Sequence, residues 1–240
     1  MLSSYGIDYL NNFLSQFKND KRFDIYIHLD GKTKNDIDNG KEIIHSNIKY
    51  CNHLYKSRRY SFEMVKVMFE LLYKARKHEN YNYYHFFSES CYLVKSLNDF
   101  YQFFKGNNSY LSYSLNRFSY YRNSSNVLYK GSQWMTLHKD IANELLNYKY
   151  LLAKYEEEIK YNKIIIRRGA YDEQIIHTII IRDICNGNPK KKNIKGNIRY
   201  IRWNNCSKEY CPNFLNIDNV NEKEINTIKN NFLIIKILNH

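Results

Sequence analysis

Two adjacent carboxylates, Asp172 and Glu173, are the first residues of this chain whose type and place could do chemistry. They open the segment 172–180 (DEQIIHTII), whose isoleucines predict a helix. A carboxylate at a helix start suits the macrodipole and the open amides of the first turn, so one reading is capping. The other is a general base, a carboxylate able to take a proton from an attacking hydroxyl. Adjacent helical positions point about 100° apart, so one of the pair faces a cleft and the other does not. The isoleucine face puts Glu173 nearer the buried side and leaves Asp172 as the cap. A second candidate is Gly131-Ser132-Gln133-Trp134, where Trp134 could stack on a sugar ring or simply fill the core. A third is Ser88-Glu89-Ser90-Cys91, placed directly after the apolar run 83–87, where strand ends in open α/β sheets take ligands. It reads equally as a turn. The only Asp-x-Asp is Asp36-Ile37-Asp38, in the polar stretch 31–40 predicted to be a loop. Hard cations need several converging oxygens, so these acids read as solvated and no metal is expected.

Elements to position these groups follow from the apolar spacing. Helical period appears at 9–17, 62–75, 97–104, 139–146, 171–182 and 222–238. Alternating or short apolar runs at 24–30, 83–87, 132–137 and 198–203 read as strands, with a short one at 48–51. The region 107–129 is aromatic and polar without a clear period. Strands alternating with helices favour one α/β domain spanning 1–240, with a mixed, mostly parallel sheet flanked by helices.

The chain has 240 residues, 43% of them hydrophobic, with only 2 Pro and 8 Gly, so it can bury a large core and carries no long linker. A net charge of +13 suits an anionic membrane surface, a phosphate-bearing ligand or nucleic acid. No nucleic-acid module is recognisable, and the densest basic run, Lys190-Lys191-Lys192, reads as a solvated loop. Five cysteines without a CxxC fit a reduced, cytoplasmic chain. No run of about 18 apolar residues occurs, and residues 1–12 do not look like a signal peptide. GxxxxGK[ST], GxGxxG, HExxH and GxSxG are all missing, which removes the usual marks of several enzyme classes.

Read in order, several segments resemble one family. Residues 25–32 (IYIHLDGK) resemble its "VHVDKK" strand end, and residues 84–96 (YHFFSESCYLVKS) its "hLLSGQDFPLKS". Residues 131–137 (GSQWMTL) look like "GSQWFTL", residues 172–179 (DEQIIHTI) like "DExFFQTIL", and residues 198–203 (IRYIRW) like "LRYIxW". The family is that of the core-two and I-branching beta-1,6-N-acetylglucosaminyltransferases together with the protein xylosyltransferases. The resemblance implies a glycosyltransferase A type fold, a UDP-sugar donor carrying GlcNAc or xylose, a glycan acceptor, inversion at the anomeric carbon, and neither metal nor cofactor. It places the catalytic base on Glu173 and donor contacts on Asp30, Ser88 and Lys236, the last as a cation for the leaving diphosphate. It places acceptor contacts on Trp134 and Trp203. Contact with an anionic membrane would be peripheral.

Departures accompany the match. The family's first strand is not recognisable before Tyr9. Its SGQD aspartate is Cys91 here, the following proline is Leu93, and its Trp-Gly before the long helix is Arg59-Tyr60. These losses keep a second reading open, a catalytically inactive carbohydrate-binding homologue of the same fold.

Overall fold

The computed structural model describes residues 2–3, 5–17, 20–44, 47–52, 61–122, 127–166, 171–196, 198–200 and 222–236. A two-residue strand, β1 (Leu2–Ser3), precedes helix α1 (Ile7–Ser15), which buries Ile7, Leu10, Phe13 and Leu14. Strand β2 (Ile25–Leu29) is buried along its whole length. The stretch expected to be a loop is instead helix α2 (Gly31–Asp38), capped by Asp30, whose carboxylate accepts from the Gly31 amide at 2.7 Å. Its low apolar content hid it. What it buries is Thr33, and its polar side chains serve as clamps: Thr33 and Asp36 accept the amide hydrogens of Gly6 and Ile7 and so hold the start of α1.

Strand β3 (Ile48–Asn52) and the long helix α3 (Phe62–His78) follow. Then come β4 (Tyr83–His85), β5 (Cys91–Leu93), α4 (Leu97–Phe103) and β6 (Ser109–Tyr110). The region without period is a hairpin, β7 (Ser114–Tyr121) with β8 (Val127–Lys130). Beyond it lie β9 (Thr136–His138), α5 (Lys139–Asn147), α6 (Lys149–Lys160) and β10 (Ile164–Ile165). Helix α7 (Tyr171–Thr178) runs on into a π-helical turn, Ile179–Ile184, and a 3₁₀ turn forms at Pro189–Lys192. The rest is β11 (Ile194–Lys195), β12 (Arg199–Tyr200), α8 (Glu222–Asn231) and β13 (Ile234–Lys236). The single helix expected over 222–238 thus ends early and becomes a strand.

The class is α/β with helices and mixed sheets. Parallel ladders join β1 to β2, β2 to β3, β11 to β6 and β12 to β13. Antiparallel ladders join β4 to β9, β6 to β9, β7 to β8, β10 to β7 and β13 to β5. The sheets are mixed, and the expectation that parallel pairing would predominate is corrected, since antiparallel ladders are at least as common among the described residues. A parallel neighbour needs a crossover, usually helical, and no helix lies among the described residues between α4 and α5. Short returns through β6, β7, β8 and β9 leave antiparallel pairing as the available solution. The runs expected to share one sheet also divide: β4 and β9 pair with each other, whereas β2 pairs with β1 and β3.

Two apolar clusters hold these layers. One gathers α3, α5, α6, α7 and the π turn around Phe69, Leu137 and Ile175. The other packs α1 and β2 against Phe87, Cys91, Phe100, Trp134 and Ile234.

Candidate active site

Helix α7 is buried on every side. Gln174, Ile175, Ile176, His177 and Thr178 are all inaccessible, so no single face separates core from cleft. The β7–β8 hairpin supplies the polar partners that such a helix needs. Asn116 donates to the Gln174 side-chain oxygen at 2.8 Å, and the Tyr129 amide donates to the Thr178 hydroxyl at 3.0 Å. Next to the hairpin, the Gly131 amide donates to the Glu173 carbonyl at 2.8 Å. This bond joins the Gly131-Ser132-Gln133-Trp134 segment to the carboxylate-bearing turn. Gly131 is the residue that fits there: a Cβ at this position would collide with the Ser112 carbonyl oxygen and the His177 ring.

The two carboxylates occupy opposite environments, and not in the order the isoleucine face suggests. Asp172 is 2% exposed, whereas the Glu173 side chain is 21% exposed. Both carboxylates stand in the first turn of α7, and the packing around that turn encloses Asp172 and leaves the Glu173 side chain partly accessible. Its Oε2 lies 3.5 Å from Lys130 Nζ. Burial, then the neighbouring Glu173 charge, pushes the Asp172 carboxyl up to about 7, with the Asp172 and Glu173 amides opposing the shift. Asp172 Oδ1 has no hydrogen-bond partner among the described residues. Burial also lowers His177 to about 4, with the nearby Glu173 and Asp172 carbonyls partly opposing it. The turn therefore presents one accessible carboxylate beside a cation, backed by groups that burial holds toward neutrality.

The remaining predicted residues lie on other elements. Ser88, Glu89 and Ser90 are buried, and the Ser88 and Ser90 hydroxyls lie 3.0 Å apart. Glu89 accepts the Tyr5 amide hydrogen at 2.7 Å, which ties this turn to the approach to α1. Cys91 begins β5, and its register partner in β13 is Lys236. The ladder thus brings the backbone of Lys236 to within three residues of Ser88. Asp30 lies at the head of α2, whose Thr33 and Asp36 clamp the same N-terminal region of α1. Trp134 is 9% exposed and sits mostly in the second apolar cluster with Phe87 and Cys91. Trp203 lies outside the described residues. In the same cluster the buried Arg199 guanidinium stacks on Phe87 at 4.8 Å, and burial lowers its pKa to about 10.

Asp36 and Asp38 are already engaged in α2. Asp36 accepts from the Ile7 amide at 2.9 Å and pairs with Lys41 at 3.1 Å, which together hold its carboxyl below the usual range. Asp38 pairs with Lys34. Among the described residues no group of three or more His, Cys, Asp or Glu side chains converges as a metal site. Lys130, the cation beside Glu173, stands immediately before the Gly-Ser-Gln-Trp segment and has no mark of its own in the sequence.

A family model described as Core-2/I-Branching enzyme matches residues 6–229. The chain belongs to that family. No curated protein matches it. Family membership implies a glycosyltransferase that takes a sugar donor and a glycan acceptor. The match takes in Asp30, Ser88, Trp134, Glu173 and Trp203 and ends before Lys236.

Two outcomes follow for this glycosyltransferase. Gly131→Ala forces a methyl group into backbone and a buried ring, so it should cost about 1–3 kcal/mol or more of unfolding free energy in urea melts. Stability equal to the parent would show that the loop and α7 are not locked. The second outcome concerns pH. Asp172 binds its proton more tightly folded than unfolded, so its contribution to stability falls as pH rises from about 4 through about 7. His177 acts in the opposite sense over the acid part of this range. Comparing Asp172→Asn with the parent isolates the carboxyl: the variant should gain stability relative to the parent as pH rises from about 4 to about 7. A difference that does not change with pH would contradict the assignment.

Proposed function

We propose that this chain is an inverting glycosyltransferase that moves a sugar, GlcNAc or xylose, from a UDP-sugar to a hydroxyl of a glycan acceptor without a metal ion. The observation that carries the reading is Glu173: a partly accessible carboxylate at the first turn of α7, beside Lys130, its backbone bonded to Gly131. In this reading Glu173 removes the proton as the acceptor oxygen attacks the anomeric carbon. The new oxygen–carbon bond forms on the face opposite the departing diphosphate, whose bond to the same carbon breaks. One carboxylate suffices for such a displacement. Lys236 supplies positive charge to the leaving diphosphate, Asp30 and Ser88 complete the donor side, and Trp134 with Trp203 holds the acceptor sugar.

The same proposal includes a glycosyltransferase A type fold formed by residues 1–240 as a single domain. Its setting is the cytoplasm, with peripheral contact to anionic lipid through the +13 charge. Among the described residues no helix is long and apolar enough to cross a membrane.

The test is turnover of UDP-GlcNAc and UDP-xylose against a panel of glycan acceptors. Glu173→Gln keeps the shape and removes the basicity, so it should lower kcat by roughly 100-fold or more while UDP binding by calorimetry stays near that of the parent. Activity should survive EDTA. Near-normal turnover in Glu173→Gln removes the base, and loss to EDTA with rescue by a divalent ion removes the metal-free mechanism. Sugar binding without turnover of any donor would favour the inactive homologue, whose motivating feature is Cys91, fully buried where the family has an aspartate.

A further inference from the structure

The four-stranded sheet has two chemically different ends. Its order is β11-β6-β9-β4, with β4, β6 and β11 running one way and β9 the other. The register sets His85, Thr136, Tyr110 and Lys195 in one row. Beyond that row, past the carboxyl ends of β4 and β6, lie Ser88 and Ser112, and the Gly131 loop packs against the Ser112 carbonyl on its way into β9. Glu173 is bonded to that loop, so this end carries the candidate site. At the other end, where β4, β6 and β11 begin and β9 finishes, the connecting loops are basic.

Hydrogen bonds tie those loops into one surface. The Ser109 amide donates to the Asn193 carbonyl at 3.1 Å, the His138 amide to the Ser109 hydroxyl at 2.9 Å, and the Lys139 amide to the Asn82 carbonyl at 2.9 Å. The loop before β11 is the 3₁₀ turn Pro189–Lys192, with Lys190 and Lys191 exposed. The loop before β6 carries exposed Lys105, and Lys139 follows β9. The neighbouring acids act on one cation: Glu144 pairs with Lys192 at 2.6 Å, and Asp140 attracts the same ammonium. Among the described residues Lys105, Lys190 and Lys191 form no ion pair, so their charge stands unbalanced. Beside them is Phe103, the last residue of α4. It is 44% exposed, although its ring is held against Phe104 and Tyr110 at 5.1 and 5.2 Å.

We propose that this end of the sheet docks on an anionic lipid bilayer, with Lys105, Lys190 and Lys191 at the headgroups and Phe103 in the interface. The surface gives a place to the peripheral contact proposed above and rests on that reading. Two features select a bilayer over a nucleic acid. The exposed cations are lysines, compact charges suited to a diffuse layer of headgroups, and the forked arginine contacts that grip phosphates or read base edges have no counterpart among them. Phe103 carries no polar atom, so its exposed ring gains by leaving water for the acyl boundary. A site for single-stranded nucleic acid would instead line a groove with several stacking rings. Docking in this way leaves Glu173 at the opposite end of the sheet, so the acceptor glycan is met on the side away from the lipid.

Co-sedimentation with vesicles of phosphatidylcholine and phosphatidylserine, against phosphatidylcholine alone, reads the contact. A lysine near an anionic surface strengthens binding roughly fivefold, so Lys105→Gln, Lys190→Gln and Lys191→Gln together should weaken it by about 100-fold. The same charge removed elsewhere, by Lys154→Gln, Lys160→Gln and Lys163→Gln, should weaken it by less than about tenfold, because salt screens distant charges. The effect of the first set should shrink as salt rises, whereas Phe103→Ala should weaken binding several-fold at every salt concentration. In the parent protein, bound vesicles should shield Lys105, Lys190 and Lys191 from an amine-reactive label and leave Lys154, Lys160 and Lys163 open to it, a readout that needs no variant to fold. Equal losses from the two triple variants, or equal labelling of the two sets, would overturn this surface and leave the general peripheral contact standing. No binding to the anionic vesicles would overturn both. Tighter binding to mixed-sequence DNA than to vesicles, lost in the first triple variant, would overturn the bilayer in favour of nucleic acid.

Discussion

The candidate site depends on one contact, the Gly131 amide bonded to the Glu173 carbonyl at a point with no room for a side chain. It joins two segments that lie some forty residues apart in sequence, a loop leading into β9 and the first turn of α7. With a methyl group at 131 the loop would have to retreat from Ser112 and His177, and Glu173 would lose the neighbour that sets its backbone. The Glu173–Lys130 pair is part of the same arrangement, because Lys130 ends the strand that leads into Gly131. Everything the proposed chemistry asks of Glu173 is inherited from that backbone bond and the packing behind it.

The enclosure of α7 explains the division of labour between the two carboxylates. A helix with water on one side would bury one of two adjacent residues and expose the other according to its face. A helix packed by α3 on one flank and by the hairpin on another leaves only a small part of its first turn accessible. Asp172 is caught inside, and burial keeps it ready to hold a proton near neutral pH. Glu173, one residue further along, turns toward Lys130 on the side that the packing leaves partly open. A protonated Asp172 adds no second negative charge beside Glu173, which is a favourable setting for a base that must itself stay charged.

Much of this was legible in the residues. Strong apolar period located α1, α3, α4, α5 and α7, and the alternating run at 24–30 located β2. The segments around Gly131 and Glu173 pointed to the family that the chain proves to belong to. Three things were hidden for physical reasons. Helix α2 buries Thr33 and no apolar side chain, so it lacks the signal that periodicity detects; its work is done by caps and clamps. The β7–β8 hairpin carries a buried polar residue, Asn116, that satisfies Gln174 of α7, and such a polar inward position blurs the alternation that marks a strand. The exposure order of Asp172 and Glu173 depends on what packs around α7, which no local pattern contains. The mixed sheet order likewise rests on tertiary pairing, since β13 meets β5 across well over a hundred residues of chain.

The proposed displacement by a single carboxylate base carries one stereochemical consequence, inversion, and the most direct measurement is the anomeric configuration of the first product. Proton NMR of a reaction started with an α-linked UDP-sugar should show the transferred sugar joined to its acceptor through a β linkage from the earliest time points. A product that keeps the α configuration would require a different arrangement of groups around the anomeric carbon and would contradict the role given to Glu173.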